Sequence, residues 1–275
     1  MQKKLTGVIR KMRVTPTKPV TYELPVGDEL FQIDDYIGGS LVLTHTGGIF
    51  CLSCGRKTKK SFSQGYCFPC FKSLPECDMC IMKPETCHYH LGTCRDNEWG
   101  EANCMRDHYV YLANSSGLKV GITRGTQIPT RWIDQGATQA VPIFRVRNRL
   151  HSGLIESTLK KQLNDRTDWR KMLKGQAETI DMAGKKNEIL DLVREDLTSL
   201  GEHHPDLDWE ELNDEVVELD FPVEEYPAKV TSLSFDKTPS LSGFLQGIKG
   251  QYLIFDTGVL NIRKFGGYEI SIETG

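Results

Sequence analysis

Two cysteine pairs of identical internal spacing, Cys51-Leu52-Ser53-Cys54 and Cys67-Phe68-Pro69-Cys70, are separated by twelve residues. Each C-x2-C pair sets two thiols on one tight turn. A loop of that length folds the turns together, so that four sulfurs close around one tetrahedral zinc ion. Four thiolates leave no coordination position for water, which makes the expected role structural. A redox disulfide accounts for the pattern less well, because no βαβ pattern surrounds either pair. Between the pairs runs Arg56-Lys57-Thr58-Lys59-Lys60-Ser61-Phe62, basic beside an aromatic ring. It reads either as a phosphate-contacting finger or as a solvated loop.

Further ligand types follow in excess: Cys77, Cys80, Cys87, His88, His90, Cys94, Cys104 and His108. The simplest partition places a second zinc on Cys77, Cys80, Cys87 and Cys94, with His90 able to replace either of the last two. A three-metal partition also fits, with His90-x3-Cys94 and Cys104-x3-His108 holding a further ion. Two zinc ions are the expectation, since spare His and Cys side chains are often buried or support a ligand from behind.

The segments that must position these residues sit in a chain of 275 residues, 39% hydrophobic and 26% charged, which is globular composition and excludes global disorder. A formal net charge of -3 excludes a simple DNA-coating protein, so any nucleic-acid surface is local. Base is concentrated in the first thirteen residues, in the loop after Cys54 and from Arg145 to Arg170, and acid from Glu202 to Glu225. No apolar run reaches the length of a membrane span, and the start carries charge without an apolar core. The expectation is a cytoplasmic chain whose nine cysteines are thiolate ligands rather than disulfides, with no membrane partner.

Residues 1–50 alternate apolar and polar positions between Pro and Gly breaks, which predicts short antiparallel strands. Residues 51–107 form the zinc-binding region. From Tyr109 the text changes to Tyr109-Val110-Tyr111-Leu112-Ala113, a turn at Asn114-Ser115-Ser116-Gly117, and Leu118-Lys119-Val120-Gly121-Ile122-Thr123, a hairpin. A helix around Arg131, a strand from Val141 to Val146 and a helix from Ser152 to Leu163, with Glu156 beside its apolar stripe, complete a ββαβα order over residues 108–175. Residues 176–227 read as an acidic helical hairpin. Residues 228–275 return to β, with strands at Val230–Phe235, Gly243–Phe255 and Val259–Phe265 in a small curved sheet or barrel that packs with residues 1–50. There Lys249, Tyr252, Arg263, Lys264 and Phe265 read either as a single-strand-binding surface or as a packed β-core with exposed lysines. The fold class is therefore α+β: a small N-terminal β region, a zinc-ribbon-like centre, a ββαβα core and a small C-terminal β module.

That core resembles the GIY-YIG nuclease superfamily, in which a hairpin carries the two name motifs, one helix an arginine and a later helix a metal-binding glutamate. The resemblance covers about residues 108–175. It sets Tyr111 at the tyrosine of the first motif, Gly121 at the glycine of the second, Arg131 at the helix arginine and Glu156 at the glutamate. Lys119 stands where the second motif has its tyrosine, and Tyr109 where the first has its glycine; Asn164 is the candidate for a late asparagine. The resemblance implies that Glu156 binds Mg²⁺ or Mn²⁺, that Arg131 grips a phosphate oxygen, and that Tyr111, its pKa lowered by the metal site, orients or deprotonates the attacking water. Lys119 and Tyr109 would share in phosphate binding and catalysis. Gln64-Gly65-Tyr66-Cys67, His90-Leu91-Gly92-Thr93-Cys94 and the run from Gly247 to Phe255 are also similar to a bacterial family catalogued only as a domain of unknown function, which implies an architecture but no activity.

The function expected from these readings is divalent-metal-dependent cleavage of phosphodiesters in DNA or RNA, with zinc holding the core in register. A DNA- or RNA-binding protein that does not cut is the first alternative, and a zinc-stabilised scaffold or RNA-modification partner the second.

Overall fold

A computed structural model describes residues 4–163 and 168–275 of the chain; Asn164 lies outside them. Five strands open the chain: β1 (Lys4–Val8), β2 (Arg13–Thr15), β3 (Thr21–Val26), β4 (Glu29–Gln32) and β5 (Ser40–Ile49). Three short helices, α1 (Phe68–Ser73), α2 (Met79–Met82) and α3 (Asn97–Asn103), are spaced through the cysteine-rich region. Then come β6 (His108–Asn114), β7 (Leu118–Arg124), α4 (Thr130–Asp134), β8 (Gln139–Val146) and α5 (Arg149–Leu159). After these the chain forms α6 (Trp169–Met172), α7 (Met182–His203), β9 (Trp209–Glu211) and β10 (Val217–Glu218). Four strands end it: β11 (Ser240–Lys249), β12 (Tyr252–Phe255), β13 (Gly258–Asn261) and β14 (Tyr268–Thr274).

The strands at the two ends of the chain share one antiparallel sheet in the order β1-β14-β5-β11-β12-β13. Alternation sets its inner face: Leu43 pairs with Ile272 on one side and Leu241 on the other, and Ile272 pairs with Leu5. A three-stranded sheet, β2-β3-β4, adds Tyr22, Leu24 and Phe31 to the same core.

The central sheet runs β10-β8-β6-β7, with β9 also paired to β8. Its middle strand β6 is buried on both faces, and successive residues point to opposite sides. Tyr111 and Ala113 join the core under the terminal sheet, with Trp132 and Ile133 of α4. Val110 and Leu112 join a second core with Ile155 and Leu159 of α5 and Ile189, Val193 and Leu197 of α7. The result is a mixed α/β arrangement of three antiparallel sheets, with α5 and α7 packed on the central one. No helix among the described residues is long and apolar enough to cross a membrane.

Three local expectations change. The acidic stretch from Trp209 to Leu219 is not the second arm of a helical hairpin but the strands β9 and β10 along the open edge of β8. Pairing to that edge outweighs helix propensity: Trp209 packs edge-on to Phe144, and Asp208 meets Arg147 of the β8 end at 2.7 Å. The helix carrying Glu156 starts at Arg149, because the Asn148 side chain caps it by accepting from the His151 N–H at 2.9 Å. Residues 230–235 make a single bridge, Ser232 to Val259, instead of a strand, and β13 ends at Asn261, whose side chain caps a short turn through Phe265. Lys249 and Phe265 are buried in this module, so the basic and aromatic residues named there do not form one surface.

Candidate functional site: two cysteine clusters and a charged cavity

All nine cysteines are free thiols. β5 delivers the chain into the first pair, where an isolated bridge from Phe50 to Lys57 closes the turn. The second pair straddles the start of α1, with Cys67 at its N-cap and Cys70 inside it. The sulfurs of Cys51, Cys54, Cys67 and Cys70 lie within 4.8 Å of one another, with Cys54 Sγ and Cys67 Sγ 3.8 Å apart. Four sulfurs bonded to one zinc at about 2.3 Å are separated by about 3.8 Å, so this set fits a structural zinc site. Although burial pushes the Cys51 thiol up, the N–H groups of Cys54, Cys67 and Ser53 outweigh it and bring the thiol down to about 6. A preformed ring of donors favours the thiolate that zinc requires.

The remaining cysteines divide differently from the simplest reading of their spacing. Cys80, Cys87, Cys94 and Cys104 line one small cavity with Asp78, His88, Tyr89, Arg95 and Trp99. Cys77 does not; its thiol is beside Ser63 at the edge of the first site. His90 lines a separate cavity, together with His151, His203 and His204. Asp78, Cys80 and His88 also bring ligand atoms within 4.8 Å; Asp78 is paired with Arg95 at 2.6 Å, and His88 bonds the Thr93 hydroxyl through Nδ1 at 2.8 Å while its Nε2 faces Asp78 at 3.7 Å. His108, the last ligand candidate, is buried on β6 with Nδ1 bonded to the Arg106 carbonyl at 2.7 Å.

A cavity of about 440 Å³ opens between β7, α4 and α5. Lys119 reaches it from β7, Arg131 and Gln135 from α4 and the residue after it, and Glu156 from α5. Arg149 and Lys160 belong to the same wall, and Lys11 and Arg263 come from the two ends of the chain. Lys, Arg, Asp and Glu side chains in the lining number seven basic and two acidic, against a chain that is net negative. Both acids are engaged. Lys160 meets Glu156 at 3.4 Å; Asp134 takes the Lys11 ammonium at 2.7 Å and the Gln251 amide at 2.8 Å. Gln251 also bonds the backbone of Met12 in both directions, which fixes the N-terminal segment and the C-terminal sheet against α4.

Tyr111 lies behind the cavity floor. Its hydroxyl donates to Gln135 Oε1 at 3.1 Å, and its ring covers Gly121, the residue paired with it across the hairpin. A Cβ at position 121 would stand 2.6 Å from the Tyr111 hydroxyl, so the close approach of ring and strand requires glycine there. Burial pushes the Tyr111 phenol up, and the adjacent Arg131 acts against it. The lowering expected of Tyr111 belongs to a bound metal, whereas these shifts come from the chain's own groups. Tyr109 is not part of this cavity: it lines another with Gly125, Trp132 and Pro142. Among the cavity residues Lys160, Arg149, Arg124 and Gln135 were not singled out by sequence. Only helical spacing from Glu156 to Lys160 carried a signal for any of them.

No curated protein and no solved structure matches this chain. The family model described as protein of unknown function (DUF2797) matches residues 38–270, a stretch that holds both cysteine clusters and every cavity residue except Lys11. The chain therefore belongs to the DUF2797 family.

Proposed function

We propose that the charged cavity binds the phosphodiester backbone of a nucleic acid and cleaves it with the help of a divalent cation, as the resemblance of residues 108–175 to GIY-YIG nucleases implies. The observation that carries this reading is convergence. Lys119, Arg131 and Glu156, on three separate elements, line one cavity, and the Tyr111 hydroxyl is held behind it.

The guanidinium of Arg131 offers a planar fork to two phosphate oxygens, and Lys119 adds a point charge beside it. Glu156 is the carboxylate that would hold Mg²⁺ or Mn²⁺; one carboxylate with substrate phosphate suits a cation that retains several waters. Bound there, the ion supplies neutralisation of charge developing on the phosphate and leaving oxygen. Tyr111, kept as a neutral phenol by burial, acts through Gln135: its hydroxyl donates to Gln135 Oε1 and holds that amide at the cavity, where it orients the attacking water. The zinc fitted by Cys51, Cys54, Cys67 and Cys70 holds the adjoining region in register. A cytoplasmic setting accords with thiolates kept reduced for metal binding.

The test is cleavage of labelled single-stranded and duplex DNA and RNA with Mg²⁺ or Mn²⁺, using Glu156→Ala and Arg131→Ala as controls. Cleavage by the parent chain that both variants abolish, with zinc content and folding intact, supports the reading; equal cleavage by the variants removes the site assignment. One observation favours binding without cutting. Both acids of the cavity are already paired with cations, which leaves a surface suited to anions. Retention of nucleic acid by a folded chain that never cuts it selects this second reading. A chain that does neither is better described as a scaffold or a partner in RNA modification.

A further inference from the structure

Asp78 and Cys80 stand at the start of α2, and His88 precedes the turn Tyr89–Leu91. Their ligand atoms lie within 4.8 Å of one another. All three residues line the same small cavity of about 10 Å³, room for the centre of one water-sized group. That is space for a single ion. His88 Nε2 and Asp78 Oδ2 stand 3.7 Å apart, which is too long for a hydrogen bond. Nitrogen and oxygen bonded to one zinc at about 2.0–2.2 Å across a tetrahedral angle stand about 3.4 Å apart, and a slightly wider angle gives the observed separation.

The surroundings aim these atoms. The Thr93 hydroxyl donates to the His88 carbonyl at 3.3 Å, which leaves its oxygen to accept from Nδ1 at 2.8 Å. With the proton on Nδ1, Nε2 presents a lone pair to a carboxylate oxygen, so that two acceptors face each other across a gap. Left-handed Gly92 (φ 68°) closes the turn that returns Thr93 to His88. Asp78 occupies the N-cap position of α2, yet its side chain makes no capping bond. It is held instead by Arg95 Nε at 2.6 Å, and the same guanidinium donates through Nη1 to the carbonyls of Phe71 at 3.3 Å and Leu74 at 2.9 Å. Arg95 thus ties the carboxylate to α1, the helix that contains Cys70 of the first cluster. A histidine that donates its other nitrogen and a carboxylate held from behind are the usual supports of metal ligands.

We propose that Asp78, Cys80 and His88 hold a second zinc ion through a carboxylate oxygen, Sγ and Nε2, with a water molecule in the fourth position. The Cys80 thiol gives up its proton to solvent as its sulfur bonds the ion, and thiolate and carboxylate together balance the dication. Thiolate and imidazole suit zinc, whereas magnesium and calcium take oxygen ligands. Three protein ligands leave one tetrahedral position open, unlike the four thiolates of the first site. The Asp78 and His88 side chains are 15% and 28% exposed, so the ion has a path to solvent and exchanges faster than the first. Ile81, Met82 and Pro84, which follow Cys80, line the charged cavity, so the ion steadies one wall of it whatever that cavity binds.

The test is metal content and cobalt substitution in the full chain. Reduced protein saturated with zinc and freed of excess is expected to carry two zinc ions per chain, one released to a weak chelator well before the other. Cobalt(II) taken up in the exchangeable site is expected to show the bands of a tetrahedral ion with charge transfer from one thiolate, lost in Cys80→Ser. Asp78→Ala and His88→Ala keep the slowly released ion alone, whereas His90→Ala keeps both. Thr93→Val also keeps both, but binds the exchangeable ion about ten- to a hundredfold more weakly, because Nδ1 has lost its acceptor. One zinc per parent chain overturns the assignment and depends on no variant folding. A second ion whose cobalt spectrum carries several thiolates, or one that persists in both Asp78→Ala and His88→Ala, overturns the ligand set.

Discussion

The Arg149 guanidinium donates to the Ile81 carbonyl at 2.7 Å, joining the first turn of α5 to the loop that separates Cys80 from Cys87. A second donation, from Nε to the Cys80 carbonyl at 3.3 Å, makes this a fork across consecutive carbonyls. Lysine keeps the charge but cannot span both acceptors. Arg149→Lys is expected to cost about 1–2 kcal/mol, the value of one charge-assisted bond left unmade in a partly buried place. Urea unfolding of the two proteins under identical metal loading measures it. Equal midpoints would mean that the loop is held by something other than the fork.

The same loop meets α5 where the helix has no side chain. A methyl group at position 153 would stand 2.5 Å from the Pro84 carbonyl carbon and closer still to the Glu85 nitrogen, both of them backbone. Gly153→Ala improves helix propensity yet forces the loop outward, and overpacking of this kind costs about 1–3 kcal/mol. The variant is expected to melt below the parent. A rise in melting temperature would show that the loop yields without strain.

Much of this architecture was written in local pattern. Alternation through Tyr109–Ala113 and Lys119–Thr123, with a polar Ser-Gly turn between, specifies the β6–β7 hairpin, and the ligand spacing of Cys51, Cys54, Cys67 and Cys70 specifies a tetrahedral set. Partners were less legible. A period of two marks a strand without saying which strand it joins, so the pairing of Leu43 with Ile272 is invisible in sequence, and with it the arrival of Lys11 and Arg263 at the cavity. That Cys104, and not Cys77, lines a cavity with Cys80, Cys87 and Cys94 was hidden for a related reason: the cysteine-rich region folds as short turns with no periodicity from which a direction could be read.

Phosphate contacts by the cavity have a signature that requires no cleavage. Each lysine or arginine that neutralises one phosphate of a duplex contributes about 0.9 to the slope of log affinity against log salt. Lys119→Ala and Arg263→Ala are each expected to weaken binding of duplexes of unrelated sequence alike and to lower the slope by about one. Lys59→Ala, in the exposed loop near the first zinc site, is the control, and no change is expected from it if the cavity is the binding surface. A slope that falls only in the control transfers the binding surface to that loop. Fluorescence anisotropy across a salt series reads all three.

His108 supplies a pH dependence with a definite sign. Burial holds the imidazole down at about 4, from an ordinary value of 6.5; Nδ1 is bonded to the Arg106 carbonyl, and Nε2 is buried without a partner. Between those two values the unfolded chain binds the proton and the folded chain does not, so stability rises with pH through this window and falls as acid is added. The full difference is about 3 kcal/mol, reached near the lower value, with little further change below it. His108→Asn keeps a donor for the Arg106 carbonyl and has nothing to titrate. It should begin less stable than the parent at pH 7, because a smaller side chain leaves a gap in a closed core, and the parent should lose this advantage as the pH falls toward 5. Unfolding free energies of both chains under the same metal loading separate this term from acid loss of metal, which the two share. Parallel decline of the pair would assign the acid sensitivity to other groups and leave His108 a packing residue alone.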